Sequence, residues 1–154
     1  MNNKEVRAIL ETAVKIEEQS YNLYMRAKLK AERHSSKKFL DELAEEELEH
    51  KNTLLRIIEN EDDIRKIGSQ GKAIQDLKIV DFLQDVTLTE DADYQKLLIF
   101  AAKREKATFE YYNSLTKGLE DTHAGKIFSK LAEEELRHKN KLEREYDEYI
   151  LWQA

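Results

Sequence analysis

The chain repeats itself, and that repeat limits its fold more than any other feature. Residues 43–54 read LAEEELEHKNTL, and residues 131–142 read LAEEELRHKNKL, an offset of 88 positions. The same offset carries Ala13-Val14-Lys15-Ile16-Glu17 onto Ala101-Ala102-Lys103-Arg104-Glu105, and Tyr24 onto Tyr112. One register therefore aligns two separated segments in each half, the mark of a duplicated structural unit.

Spacing identifies the unit as an antiparallel helical hairpin. Val6, Leu10, Ala13, Glu17, Ser20, Tyr24 and Ala27 recur at alternating steps of four and three, which is one stripe on a helix. Leu40, Leu43, Glu47, His50, Leu54 and Ile57 form the returning stripe, with Ser35 or Ser36 as the expected cap between them. In the second half the stripes are Tyr94, Leu98, Ala101, Glu105, Thr108, Tyr112, Leu115 and then Phe128, Leu131, Glu135, His138, Leu142. Thr89 is the expected cap of the third helix, Gly118 its end, and Asp121 or Thr122 the start of the fourth. With no Pro and only four Gly, little in the chain interrupts helix.

These elements predict one all-α domain over residues 1–154, a four-helix bundle of two hairpins at about 4–61 and 91–150. Residues 62–90 join them, with Gly68 and Gly71 as breaks and Ile79, Val80, Phe82 and Leu83 packing on the bundle. An extended linker covers about 3.3 Å per residue, enough to cross a helix of about 38 Å. The second hairpin then enters from the far end, and a twofold axis across the bundle sets the middles of the hairpins face to face.

Composition narrows the function. The net charge of -6 argues against nucleic acid or an anionic membrane as main partner. The absence of Cys excludes disulfides, thiol catalysis and thiolate-held zinc or iron–sulfur centres. No apolar run approaches the roughly 18 residues of a membrane span, and residues 1–5 are polar, unlike a signal peptide. The expectation is a cytoplasmic protein whose metals, if any, are held by carboxylates and imidazoles.

The informative residues break the apolar stripes. Glu17, Glu47, His50, Glu105, Glu135 and His138 occupy inward positions near mid-height of the bundle. Glu47 and His50 are three apart and share a face, as do Glu135 and His138. Burying one unpaired charge costs several kcal/mol, and four facing carboxylates add repulsion to that. Two divalent cations would balance the four Glu. Oxygen-rich donors with one imidazole per metal suit iron first, then manganese, with zinc as an adventitious occupant. Glu45, Glu46, Glu133 and Glu134 are expected to be solvated helix surface, and His34 and His123 to lie outside the site. Tyr24 and Tyr112, two turns beyond Glu17 and Glu105, are either ordinary core aromatics or hydrogen-bond donors to a ligand carboxylate.

At these residues the sequence resembles the rubrerythrin-related branch of the ferritin-like di-iron proteins. The resemblance rests on Glu17 with Tyr24, Glu47-Leu48-Glu49-His50, Glu105 with Tyr112, and Glu135-Leu136-Arg137-His138. It implies a ferritin-like bundle, a di-iron centre reacting with peroxide or O₂, and often a homodimer. Two departures stand out. Rubrerythrins proper carry a Cys-rich rubredoxin domain, whereas this chain has no Cys. They also carry a further Glu three residues past the third-helix ligand, where Thr108 stands here, with Ser20 at the equivalent place in the first helix. The six-residue set is closer to that of bacterioferritin.

The leading expectation is a redox protein that oxidises bound Fe(II) with peroxide or O₂ in oxidative-stress defence, supplied with electrons by an external, rubredoxin-like donor. The alternatives are an iron-handling ferroxidase or storage protein without peroxidase turnover, and a structural bundle holding adventitious metal.

Overall fold

A computed structural model describes residues 1–72 and 88–154. Its helices are α1 (Asn3–Lys30), α2 (His34–Glu59), α3 (Glu61–Gln70), α4 (Tyr94–Leu115) and α5 (His123–Gln153). The chain is an all-α bundle: α1 packs along α2, α4 along α5, and the hairpins meet through α1 against α4 and α2 against α5. Tyr112 Oη on α4 reaches Glu17 on α1 at 2.5 Å while Tyr24, seven residues further along α1, reaches back to Glu105, seven residues earlier on α4, so α1 and α4 run antiparallel.

Several local expectations need correction. The segment expected at 62–90 to join the hairpins opens with a helix not foreseen there, α3, capped by Asn60 through the Asp63 amide at 3.0 Å. Gly68 lies inside α3 and breaks nothing; a Cβ there would stand 2.7 Å from the Met1 carbonyl oxygen, so the position requires a bare Cα. Gly71 does follow the end of the helix. Neither Ser35 nor Ser36 caps α2, whose cap position is Arg33 with no side-chain bond. Ser36 is buried instead and donates to Glu145 at 2.7 Å. Asp93, not Thr89, caps α4, accepting from the Lys96 amide at 2.9 Å. That helix ends at Leu115, ahead of Gly118, whose φ of 83° turns the chain where a side chain would be strained. Thr122 caps α5 through the Gly125 amide at 3.0 Å. The expected apolar patch at 79–83 lies outside the described residues.

The core is split in two. One cluster gathers Leu10, Leu54, Ile57, Leu115 and Phe128; the other gathers Leu40, Leu43, Leu97, Leu98 and Leu142. Each such side chain stabilises the fold by about 1.5–3 kcal/mol when fully buried. Between the clusters runs a belt of buried charge, and these two apolar blocks hold it in place.

Candidate metal centre

Each long helix contributes to the belt. Glu17 comes from α1, Glu47 and His50 from α2, Glu105 from α4, and Glu135 and His138 from α5. Glu17, Glu47 and Glu135 are 0% exposed, Glu105 and His138 1%, and His50 4%. At that depth water cannot screen the carboxylates, so any compensating charge must come from within the site. The six residues form two overlapping groups: Glu17, Glu47, His50 and Glu135, and Glu47, Glu105, Glu135 and His138. In each group one donor atom per residue lies within 4.8 Å of all the others. Glu47 and Glu135 belong to both, the arrangement expected of carboxylates placed between two cations.

The histidine rings have an inner and an outer nitrogen. His50 Nδ1 faces Glu135 Oε1 at 2.9 Å and Glu17 and Glu47 each at 3.5 Å. His138 Nδ1 faces Glu47 Oε1 at 3.0 Å, with Glu135 at 3.6 Å and Glu105 at 3.8 Å. Close as they are, these approaches are not aligned as hydrogen bonds, and both Nδ1 atoms remain without a partner among the described residues. So do both oxygens of Glu47 and Glu135 and one oxygen each of Glu17 and Glu105. Orphaned buried atoms of this kind are costly unless something binds them, and here all of them converge on one place. A self-satisfied salt-bridge cluster would not leave them. The donor set fits two divalent ions.

On the outer side, His50 Nε2 lies 2.5 Å from Glu134, and His138 Nε2 lies 2.7 Å from Glu46. Glu46 and Glu134 are half-buried, not the freely solvated surface expected of them. A carboxylate on Nε2 fixes the tautomer that leaves Nδ1 as a donor to metal. The repeat places a Glu immediately before Glu47 and before Glu135, but it repeats Glu45 and Glu133 in the same way, so the sequence held no signal that singled these two out. Glu45 and Glu133 are exposed as expected, and His34 and His123 lie outside the site, with His123 beside Asp63 at 3.1 Å.

The tyrosines do donate to carboxylates, and each crosses to the other hairpin. Tyr24 on α1 donates to Glu105, and Tyr112 on α4 donates to Glu17 at 2.5 Å. Burial first, then the surrounding carboxylates, push both phenols well above their ordinary range, so both stay protonated donors.

The same forces act on the acids. Burial and the charges of Glu105 and Glu17 raise Glu47 to about 8. Burial and the other three carboxylates hold Glu135 well above the usual range. For Glu17, burial works upward, but the positive charge of His50 beside it and the hydrogen bond from the Tyr112 hydroxyl outweigh it and lower the value. Burial alone would lower the imidazoles too. Glu134 and Glu17 instead bring His50 to about 11, and Glu46, Glu47 and Glu105 bring His138 to about 10. Without metal, protons are thus the counter-charge of the belt.

One buried cation escaped the sequence reading: Arg104, 3% exposed, beside Ile16 and Ser20 of α1. Its signal was a charge where the repeat places the apolar Ile16.

A helical bundle that buries these carboxylates and histidines together between its four long helices carries a candidate metal centre. Comparison with known families agrees, since the family model described as rubrerythrin matches residues 8–146. The chain belongs to the rubrerythrin family, and its bundle is of the ferritin-like type. Neither a curated protein nor a solved structure matches significantly. No described helix is long and apolar enough to cross a membrane.

Proposed function

We propose that this protein binds two iron ions through Glu17, Glu47, His50, Glu105, Glu135 and His138, and oxidises them with peroxide or O₂ in defence against oxidative stress. The observation that carries the reading is the convergence of orphaned carboxylate and imidazole atoms in two groups sharing Glu47 and Glu135. When bound, a di-iron pair supplies electrons and open coordination positions to the oxidant. The protein's part is to position and to manage protons. Glu47 and Glu135, common to both groups, would serve both ions, while Glu17 and Glu105, each held by a tyrosine hydroxyl, would each serve one. Glu134 and Glu46 hold the imidazole protons on Nε2. The apolar clusters above and below keep bulk water out.

Electrons for repeated turnover come from outside, in this reading from a rubredoxin-like carrier, because the described chain has no thiolate centre and no Gly-rich cofactor fingerprint. A homodimer in the cytoplasm is the expected setting.

A second reading, iron handling by a ferroxidase, is favoured by Thr108. Its hydroxyl donates to the Arg104 carbonyl at 2.8 Å, and no additional carboxylate stands there. Stopped-flow mixing separates the readings. Anaerobic protein loaded with two Fe(II) is mixed with peroxide or with O₂, and ferric absorption is followed. Faster oxidation by peroxide supports the peroxidase, and preference for O₂ with continued Fe(II) uptake supports iron handling. Failure with both oxidants removes the redox reading.

A further inference from the structure

A cleft of about 260 Å³ opens between α2 and α5, and its charged lining is Glu42, Glu45, Glu46 and Glu49 from α2 with Lys141 from α5. Glu42, Glu45 and Glu49 are exposed, while Glu46 is half-buried and meets His138 Nε2 at 2.7 Å. His138 is 1% exposed, and its other nitrogen, Nδ1, stands in the belt without a partner among the described residues. Two side chains therefore connect solvent to an orphaned donor of the metal centre: the carboxylate in the cleft and the ring behind it.

The 88-residue offset shows that this cleft is not a by-product of the fold. It sets Glu45 on Glu133 and Glu46 on Glu134, but Glu42 on Lys130, Glu49 on Arg137 and Thr53 on Lys141. Glu134 meets His50 as Glu46 meets His138, so the inner contact is duplicated and the outer charge is not. Carboxylates outnumber cations four to one around Glu46, whereas Glu133 and Glu134 are matched by Lys130 and Arg137. Helix stability does not explain the difference. Lys130 and Glu134, and Glu133 and Arg137, stand at the favourable spacing of four, while Glu42, Glu46 and Glu49 repel one another at steps of four and three.

We infer that the cleft of Glu42, Glu45, Glu46 and Glu49 is where divalent cations enter the centre, on the His138 side rather than the His50 side. The inference rests on the two-metal reading above. A cleft lined by one sign of charge against a low-dielectric wall concentrates the opposite ion and raises its association rate by about tenfold to a thousandfold. Glu46 stands at the inner end, a carboxylate that can take a cation from the cleft and stand beside the ring that receives it. At the equivalent place in the repeat, exposed Lys130 and Arg137 flank Glu134 and cancel that attraction.

Metal-free full-length protein is mixed anaerobically with Co(II) in a stopped flow, with visible absorption giving the association rate and a chelator chase the dissociation rate. Glu42→Gln combined with Glu49→Gln should slow association by about tenfold at low ionic strength. Glu42→Lys with Glu49→Arg, which lends the cleft the residues of its repeat, should slow it further. Dissociation through the same cleft should slow alongside, so Kd moves far less than either rate. Glu11→Gln with Glu110→Gln removes the same charge from exposed positions on α1 and α4 and should leave the rate near wild type. At about 1 M salt, where the Debye length falls to about 3 Å, the wild type and the Glu42/Glu49 double Gln variant should converge. Far-UV circular dichroism checks that each variant is folded. An association rate that falls equally in both Gln pairs, or a loss of affinity carried entirely by faster dissociation, overturns the inference and leaves the two-metal reading standing. Binding of fewer than two Co(II) by the wild type overturns both.

Discussion

His50 on α2 and Glu134 on α5 meet at 2.5 Å across the two hairpins, and the symmetry-related pair His138 and Glu46 meets at 2.7 Å. Each imidazole is thus held from outside by the hairpin it does not belong to. Docking of the hairpins and orientation of the inner nitrogens are one event.

Removing either outer carboxylate should loosen metal without unfolding the bundle. Glu134→Gln and Glu46→Gln are expected to lower metal affinity by about 10–100-fold. Glu45→Gln and Glu133→Gln, on exposed positions, should change it little. Competition with a chromophoric chelator gives the affinities, and far-UV circular dichroism reports the fold. Equal losses in all four variants would mean that general surface charge, not the histidine contact, is responsible.

Direct donors should show a steeper effect. Glu47→Ala removes a carboxylate common to both groups, so metal should fall below two per chain by elemental analysis. His138→Ala should do the same at one position. Replacing Glu17, Glu47, Glu105 and Glu135 together by Leu or Met should raise the melting temperature of the metal-free protein, because it removes buried like charges. A lower melting temperature in the fourfold variant would show that the belt is structurally self-sufficient.

Stability should respond to pH in opposite senses with and without metal. Glu47 is raised to about 8, so its stabilising contribution is full below 4.5 and is lost as the pH climbs to that value. His50 and His138, raised to about 11 and about 10, act in the same sense from 6.5 upward. Glu17, lowered, contributes above 4.5 and loses that contribution only in more acidic solution. Metal-free protein should therefore lose stability as the pH rises from about 5 to about 8. Metal binding displaces those protons and strengthens over the same range, at about 2.7 kcal/mol of stabilisation for each hundredfold excess over Kd. Thermal melts with Fe(II) or Mn(II) and with EDTA should diverge progressively across this window. Parallel melting curves would remove the metals from the belt.

Much of this was readable from sequence for a definite reason. The 88-residue offset and the four-three spacing fix which positions face inward, and a charged residue there is conspicuous because it is costly. Helix ends were read less well. Ser36 has the chemistry of a cap, yet its hydroxyl goes to Glu145 on a distant helix, a tertiary preference that local pattern does not carry. Helix α3 was obscured by Gly68, required there by the approach of Met1 rather than by a break in the helix. Glu46 and Glu134 were hidden within glutamate runs, where only the packing of opposite hairpins distinguishes them from Glu45 and Glu133.

The tyrosines offer the finest test, since each touches only one side of the belt. Tyr112 donates to Glu17 and Tyr24 to Glu105, and both belong to the apolar clusters as well. Phenylalanine keeps the ring and its packing and removes the donor. Loss of a hydrogen bond to a charged group costs about 1.5–3 kcal/mol, which corresponds to roughly tenfold to a hundredfold in affinity at the affected position. Tyr112→Phe should weaken the position that loses its ion in Glu17→Ala, and Tyr24→Phe the one that loses it in Glu105→Ala. Both variants should keep near-wild-type far-UV dichroism. Co(II) titration of the two Phe variants, alone and combined with those Ala changes, distinguishes the positions. If each Tyr→Phe change weakened both steps alike, the hydroxyls would be tuning the belt as a whole, and the crossed pairing would lose its one-sided role.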